Sequence, residues 1–367
     1  MIFLKNIKPE NQLSRIKEIV NLLNLNNVMK IYLATEMGGT PFAASEQIRS
    51  LEANDVIITE QISEASVIVA HNYKNLLPCV LRYPKKKFLV WTNEPRYDTY
   101  FKSVIKLPFG FSNIEIMNVY GKEVFWHNLH FLSTYHFDTE MDLGISINSS
   151  LPHLTKEKLI ALNKNNKIAS FFTNTFSEKN KLIKQNKNID LSNKRCQYAL
   201  EGRKRNLLDI YGNKWPDGFA IDNSGYGFEK DQPWWIEKLS ILSKYKYNLC
   251  FENTAQPYYV TEKIWHSIYS LSLPIYNSFN STIYETFPKN SFLDANMFQD
   301  EHSLFDYLKN QITEDEYIKR LNLCIDVFNK SIQTKKENWQ LHANEQIIKI
   351  VDKLNKIVNA NTQKVQL

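Results

Sequence analysis

YKYNLCFENTAQPYYVTEKIWHSIYSLSLPIY, residues 245–276, is the stretch on which the fold turns. Residues 245–251 are an aromatic and apolar run with the length and composition of a buried strand. Residues 252–258 are polar, and Asn253, Thr254 and Pro257 are turn formers. From Val260 onward, Ile264, Ile268 and Leu271 fall at spacings of four and three, the period of a helix. Residues 273–276 are a second short apolar run. Strand, turn, helix and strand together make one βαβ unit with parallel strands. Thr261 stands where a helix cap belongs, which places Glu262 and Lys263 in the first turn.

That placement has chemical content. A helix N-terminus presents unpaired N–H groups and a partial positive charge. In parallel α/β sheets the ligand crevice lies beyond the carboxyl ends of the strands, where such helices begin. Lys263 adds a full charge there, which suits a phosphate. Glu262 repels phosphate and instead suits hydroxyl groups, such as those of a ribose. The competing reading is an ordinary capped helix with a surface Glu–Lys pair.

FEN at 251–253, YVTEKI at 259–264 and PIY at 274–276 keep their mutual spacing. Together they resemble the donor-site signature of the family-10 alpha-1,3-fucosyltransferases. The resemblance implies an α/β fold of the GT-B type: two Rossmann-like domains facing each other across a cleft, with C-terminal helices. It implies GDP-fucose as donor, an acceptor glycan and inversion at the anomeric carbon. It assigns donor binding to Asn253, Tyr259, Glu262 and Lys263. One departure stands out. Family members carry a glycine soon after PIY, whereas this chain has Asn277, Ser278, Phe279 and Asn280. A different loop is expected there, which keeps a different nucleotide-sugar donor open.

A chain of 367 residues accommodates two domains. The expected division is an acceptor-side domain at 1–155, a GDP-sugar donor domain at 156–335, and a C-terminal helix and tail at 336–367. In the first, strands are expected at 28–34, 56–59, 66–70, 87–91 and 114–119, alternating with helical segments as in a helix-covered parallel sheet. Gly38 and Gly39 follow the first strand, but the third glycine of a dinucleotide fingerprint is missing. Trp91 ends a strand, and Asn93-Glu94-Pro95 follows. The family places its base in a Glu-Ser-Pro-like turn at this point, so Glu94 is the candidate base. Glu36 and Asp98 are the next carboxylates to consider. A solvated turn carboxylate is the bland alternative.

In the second domain a strand is expected at 167–172 and a helix at 194–211. Arg203, Lys204 and Arg205 form a basic cluster in that helix. The resemblance assigns the diphosphate to Arg205, with Arg203 as rival, because a guanidinium forks onto phosphate oxygens. A solvated basic face is the alternative. Residues 314–328 and 344–358 both show helical apolar spacing. The second carries Lys349, Lys353 and Lys356 opposite its apolar face; it either packs on the protein or lies on the inner membrane.

The net charge of +6 comes from 45 basic and 39 acidic residues that are interspersed, so nucleic acid is not an expected partner. Cys79, Cys196, Cys250 and Cys324 form no CxxC pair, which argues against a cysteine zinc site and for a reducing, cytoplasmic setting. His127, His130 and His136 lie close together without a recognised ligand spacing. The opening residues, MIFLKNIKPENQ, do not read as a signal peptide, and no apolar run reaches the length of a membrane span. The bacterial form of the family is the nearer analogue, with a lipopolysaccharide or O-antigen glycan, lipid-linked or free, as the associated acceptor. No metal is expected to be required, although divalent ions are allowed as stimulants. A non-catalytic nucleotide-sugar-binding module is the alternative from another class.

Overall fold

The computed structural model describes residues 28–92, 103–118, 150–223 and 234–360, apart from residues 39, 44, 109 and 185. Glu94, Asp98 and the three histidines lie outside the described residues. The described chain separates into two compact units. One holds the chain up to Trp91, residues 103–116 and the chain from Ile347; the other holds most of what lies between Met117 and Gln346.

The first unit is built on β1 (Met29–Leu33), β2 (Val56–Ile58), β3 (Val67–Ala70), β4 (Lys87–Thr92), β5 (Val104–Ile105) and β6 (Ile114–Asn118), in the order β2-β1-β3-β4-β6-β5. β1 to β4 are mutually parallel, and β5 and β6 form an antiparallel edge. Helices α1 (Ser45–Glu52) and α2 (Tyr73–Arg82) connect them. Every residue of β3 is buried, as a central strand covered on both faces requires. Asn72 caps α2 through its side chain, which accepts from Asn75 N.

The second unit begins with α3 (Lys156–Leu162), capped by Thr155, and β7 (Asn165–Phe171). A hairpin of β8 (Ile183–Lys184) and β9 (Lys187–Asn188) leads to α4 (Ser192–Lys204). Then come β10 (Leu208–Tyr211), β11 (Ala220–Asp222), α5 (Trp234–Leu242), β12 (Tyr245–Leu249), α6 (Glu262–Tyr269), β13 (Leu273–Tyr276), β14 (Leu293–Asp294), α7 (Glu301–Asn310) and α8 (Glu314–Asn359). The sheet runs β11-β10-β7-β12-β13-β14, all parallel. Counting its strands along the chain gives the order 3-2-1-4-5-6 of the doubly wound dinucleotide-binding fold. The βαβ unit expected from residues 245–276 therefore supplies two of the six strands of a complete Rossmann-like sheet. Its core gathers Ile168, Leu208, Ile210, Leu249, Ile264, Trp265, Ile268 and Ile275.

Two expectations are corrected here. The helix expected over 194–211 ends at Lys204, and β10 occupies Leu208–Tyr211. Asn206 takes the left-handed conformation at φ 58, and Leu207 N donates to Gly202 O at 2.9 Å. That wide C-terminal turn stops the helix and launches the strand. The two helices expected at 314–328 and 344–358 are one continuous helix of 46 residues, α8. Its apolar positions Ile347, Ile350, Leu354 and Ile357 are buried, and Lys353 pairs with Glu115 at 3.0 Å. That face is taken up by the protein itself.

Candidate functional site

The strand order creates the site. β7 and β12 are neighbours, yet the chain leaves them in opposite directions, β7 toward β10 and β12 toward β13. Such a switch point opens a crevice at the carboxyl ends of the two strands. The two loops that border it are tied together. Leu191 N donates to Asn253 O at 3.0 Å, and Ala255 N donates to Ile189 O at 2.7 Å. Asp190 and Thr254 form an isolated antiparallel bridge. The helices that begin here are α4 after β7 and α6 after β12, so two helix N-termini serve one crevice.

At the head of α6 the signature residues form a buried polar cluster. Glu252 is 2% exposed. It accepts from Thr261 N at 2.7 Å, and the Thr261 hydroxyl lies 2.9 and 2.8 Å from its two oxygens. Thr261 stands at the N-cap but makes no side-chain cap bond, because its hydroxyl is engaged by Glu252. The expected capping role is thus corrected in its detail. Lys263 Nζ donates to Thr261 Oγ1 at 2.8 Å and pairs with Glu252 at 3.3 Å and with Glu262 at 3.4 Å.

Burial pushes the Glu252 carboxyl upward against the pull of Lys263. Burial acts on Glu262 in the same sense, but Lys263, Lys238 and His266 outweigh it and hold Glu262 well below the usual carboxylate range. A carboxylate held ionised is an acceptor only, which suits contact with hydroxyl groups. Lys238, on α5, is almost wholly buried and lies 5.8 Å from the Phe171 ring centroid at the end of β7. Burial lowers it to about 8. Tyr259 is buried, with its N–H on Gln256 O at 3.2 Å. Asn253 lends its carbonyl to the loop-to-loop bond described above.

Arg205 is not in this group. It follows the last residue of α4, at the end of the sheet where strands begin, whereas Glu262 and Lys263 sit where strands end. Its guanidinium contacts Glu201 at 2.6 Å, Asp306 at 2.6 Å and His302 at 2.8 Å. Its rival Arg203 is likewise directed to Asp209, at 3.4 Å, near the start of β10. The arginine that α4 brings to the crevice end is Arg195, in its first turn. It is 8% exposed, and its guanidinium carbon lies 4.8 Å from the Phe172 ring centroid. Its place in the first turn of the helix that follows β7 puts a guanidinium at the switch point. Arg195, Glu252 and Lys238 were absent from the sequence reading. Reading both helix N-termini of the unit, not one, would have found Arg195.

The loop after β13 is rebuilt where the glycine is absent. Ser278 donates to Asp294 through N at 3.1 Å and through Oγ at 2.5 Å, and Tyr284 OH donates to Asp294 at 2.8 Å. Asn280, left-handed at φ 54, donates Nδ2 to Ala255 O at 3.0 Å. The substitute loop is therefore braced on the signature loop itself. Among the described residues no cluster of His, Cys, Asp or Glu is placed to hold a metal ion. The four cysteines are free thiols, and burial pushes Cys250 up to about 12. Among the described residues no helix is long and apolar enough to cross a membrane.

Comparison with known proteins identifies the family. The family described as "Glycosyltransferase family 10 (fucosyltransferase) C-term" matches residues 176–363, more than half of the chain. The match includes Arg195 and every signature residue. Alpha-(1,3)-fucosyltransferase FucT of Helicobacter pylori is 43% identical over 72 residues, which is 20% of this chain and 15% of that protein. Alpha-(1,3)-fucosyltransferase B of Drosophila melanogaster is 37% identical over 81 residues, 22% of this chain and 18% of that protein. These curated relatives are thus matched over less than a fifth of their length. Among solved structures, an alpha1,3-fucosyltransferase with GDP-fucose superposes with a TM-score of 0.40 at 20% identity, covering 84% of this chain and 90% of that one. A DNA-modifying beta-glucosyltransferase superposes with a TM-score of 0.45 at 11% identity, covering 87% and 99%.

Proposed function

The chain belongs to glycosyltransferase family 10, the fucosyltransferases, and from that premise we propose that it transfers fucose from GDP-fucose to a hydroxyl of an acceptor glycan, in alpha-1,3 linkage and with inversion. The acceptor hydroxyl attacks the anomeric carbon, the new C–O bond forms, and the bond to the β-phosphate oxygen breaks. The electron pair leaves with GDP, and the hydroxyl proton goes to a base. Glu94 is proposed as that base, on the resemblance of its turn to the family's. Arg195, Lys263 and the N-termini of α4 and α6 are proposed to stabilise the departing diphosphate. Glu262 is proposed to accept from the ribose hydroxyls, with Asn253 and Tyr259 lining the donor. The cations are proposed to do the work of a metal, so none is required. By association with bacterial members, the acceptor is taken to be a lipopolysaccharide or O-antigen glycan and the reaction cytoplasmic.

The observation that carries this reading is the crevice at β7 and β12, where Lys263, Glu262 and Arg195 stand at two helix N-termini. GDP binds only the folded protein on this reading and so raises the melting temperature by mass action. UDP is expected to do so far less. Incubation with GDP-fucose and a panel of glycan acceptors is expected to release GDP in an acceptor-dependent way. Equal thermal shifts with GDP and UDP, or no acceptor-dependent release, would overturn it. A second reading, another GDP-sugar as donor, is favoured by the Asp294-braced loop after β13. Faster turnover of GDP-mannose than of GDP-fucose would select it.

A further inference from the structure

Between β7 and α4 the chain carries the segment FSEKNKLIKQNKN, residues 176–188. It holds Lys179, Lys181, Lys184 and Lys187 against one acid, Glu178. Phe176 is 49% exposed and Ile183 is 60% exposed. Lys179, Lys181 and Lys187 are exposed as well. Single exposed apolar residues are ordinary. Two of them, interleaved with four cations on a backbone that is fixed in place, are a different matter.

The fixing is explicit. Asn193, in the first turn of α4, accepts from Ser177 N at 3.0 Å and donates to Ser177 O at 2.7 Å. Asn180 donates to Thr175 O at 2.5 Å and to Asn193 Oδ1 at 3.2 Å. β8 and β9 pair across Asn186, which is left-handed at φ 62. Leu182 packs against the buried cluster of Ile189, Leu191 and Ala255. The segment thus sends Leu182 inward and displays its neighbour Ile183 to solvent. Lys184 is anchored on Gln256 Oε1 at 3.2 Å, beside the signature loop.

We propose that this hairpin is a docking surface for an anionic lipid bilayer, with Phe176 and Ile183 entering the headgroup region and the lysines facing acidic headgroups. Interfacial contacts combine apolar insertion with attraction of basic residues to acidic lipid. A soluble polyanion would satisfy the lysines but leave aliphatic Ile183 without a partner. The other basic amphipathic element, the end of α8, has its apolar face buried in the protein and Lys353 committed to Glu115. The hairpin is hydrogen-bonded to the loop bordering the crevice, so docking would hold that crevice beside the membrane surface. This inference concerns binding alone and stands whether or not the transferase reading does.

The test is co-sedimentation of the full chain with phosphatidylcholine vesicles, with and without phosphatidylglycerol. The wild type is expected to bind the acidic vesicles and not the neutral ones. Each lysine near such a surface changes the partition coefficient about fivefold, so Lys179→Gln/Lys181→Gln/Lys187→Gln is expected to lose roughly a hundredfold. Phe176→Ser/Ile183→Ser is expected to bind the acidic vesicles more weakly than the wild type at the same salt concentration. Both variants are expected to keep the wild-type melting temperature. The proposal fails if the wild type ignores acidic vesicles, or if both variants bind like wild type. It also fails if Lys349→Gln/Lys356→Gln abolishes binding in their place. Loss of heparin binding in the lysine variant, with vesicle binding untouched by Phe176→Ser/Ile183→Ser, would mark a polyanion site and overturn it too.

Discussion

Replacing Arg195 and Arg205 in parallel tests where the donor diphosphate is held. Lys263 is paired with Glu252 and with Glu262 at the head of α6. On the proposed reading, attraction for a diphosphate comes from Lys263, from Arg195 and from the partial charges at the heads of α4 and α6, about half a charge each. A hydrogen bond to a charged group contributes about 1.5–3 kcal/mol, and 1.4 kcal/mol is about tenfold in affinity. Arg195→Ala is therefore expected to weaken GDP binding by about 10- to 150-fold in calorimetric titration. Arg195→Lys keeps the charge but not the planar fork, and should fall between. It also guards against misreading an alanine variant that folds poorly once its packing on Phe172 is lost. Arg205→Ala removes the partly exposed pairs with Glu201 and Asp306 and the contact with His302, and such surface pairs contribute about 0–1 kcal/mol of stability. Its GDP affinity is expected to stay within about twofold of wild type. If Arg205→Ala weakens GDP as much as Arg195→Ala does, or if a folded Arg195→Ala variant binds GDP normally, the switch-point argument is wrong.

Further predictions concern stability and chemistry. Lys238 falls to about 8 in the folded chain, so from there up to its ordinary value the unfolded chain binds more protons and stability rises with pH. Urea unfolding between about pH 8 and 10 should show that rise in wild type and a smaller one in Lys238→Met. Gly212 has φ 137, and a Cβ there would lie 2.4 Å from Phe172 O. Gly212→Ala is expected to cost about 3 kcal/mol or more in the same assay. Transfer is expected to survive EDTA, and complete loss restored by divalent ions would contradict a metal-free donor site. Glu94→Gln is expected to slow transfer about a hundredfold to ten-thousandfold with GDP affinity unchanged; a variant that keeps its rate would make Glu94 a structural turn residue.

What the sequence made legible, and what it hid, follows from the range of the interactions involved. Residues 245–276 could be read because each decision there is local: an apolar run, a turn former, a helical period. β1 to β4 of the first unit were equally plain, since β3 and β4 are short apolar runs between turns, whereas the two-residue β5 was not expected. Hidden features depended on distant partners. β10 continues the apolar period of α4 across Asn206, and only its pairing with β7 makes Leu208–Tyr211 a strand. The Thr261 hydroxyl reads as a cap until Glu252, nine residues earlier, takes it.

Arg205 shows the same limit in its sharpest form. A helix of 13 residues such as α4 spans about 20 Å at 1.5 Å per residue. Its two ends therefore lie on opposite edges of the sheet, and a basic residue at either end satisfies a one-dimensional motif equally well. Direction of the chain decides between them. α4 runs from the carboxyl end of β7 back to the start of β10, so only its first turn reaches the crevice. Arg195 is in that turn, and Arg205 follows the last one. The same rule, applied to α6, keeps Glu262 and Lys263 at the crevice. For any helix that follows a strand of a parallel sheet, the residues to credit with ligand binding are those of its first turn, and a basic cluster near its last turn belongs to the opposite face.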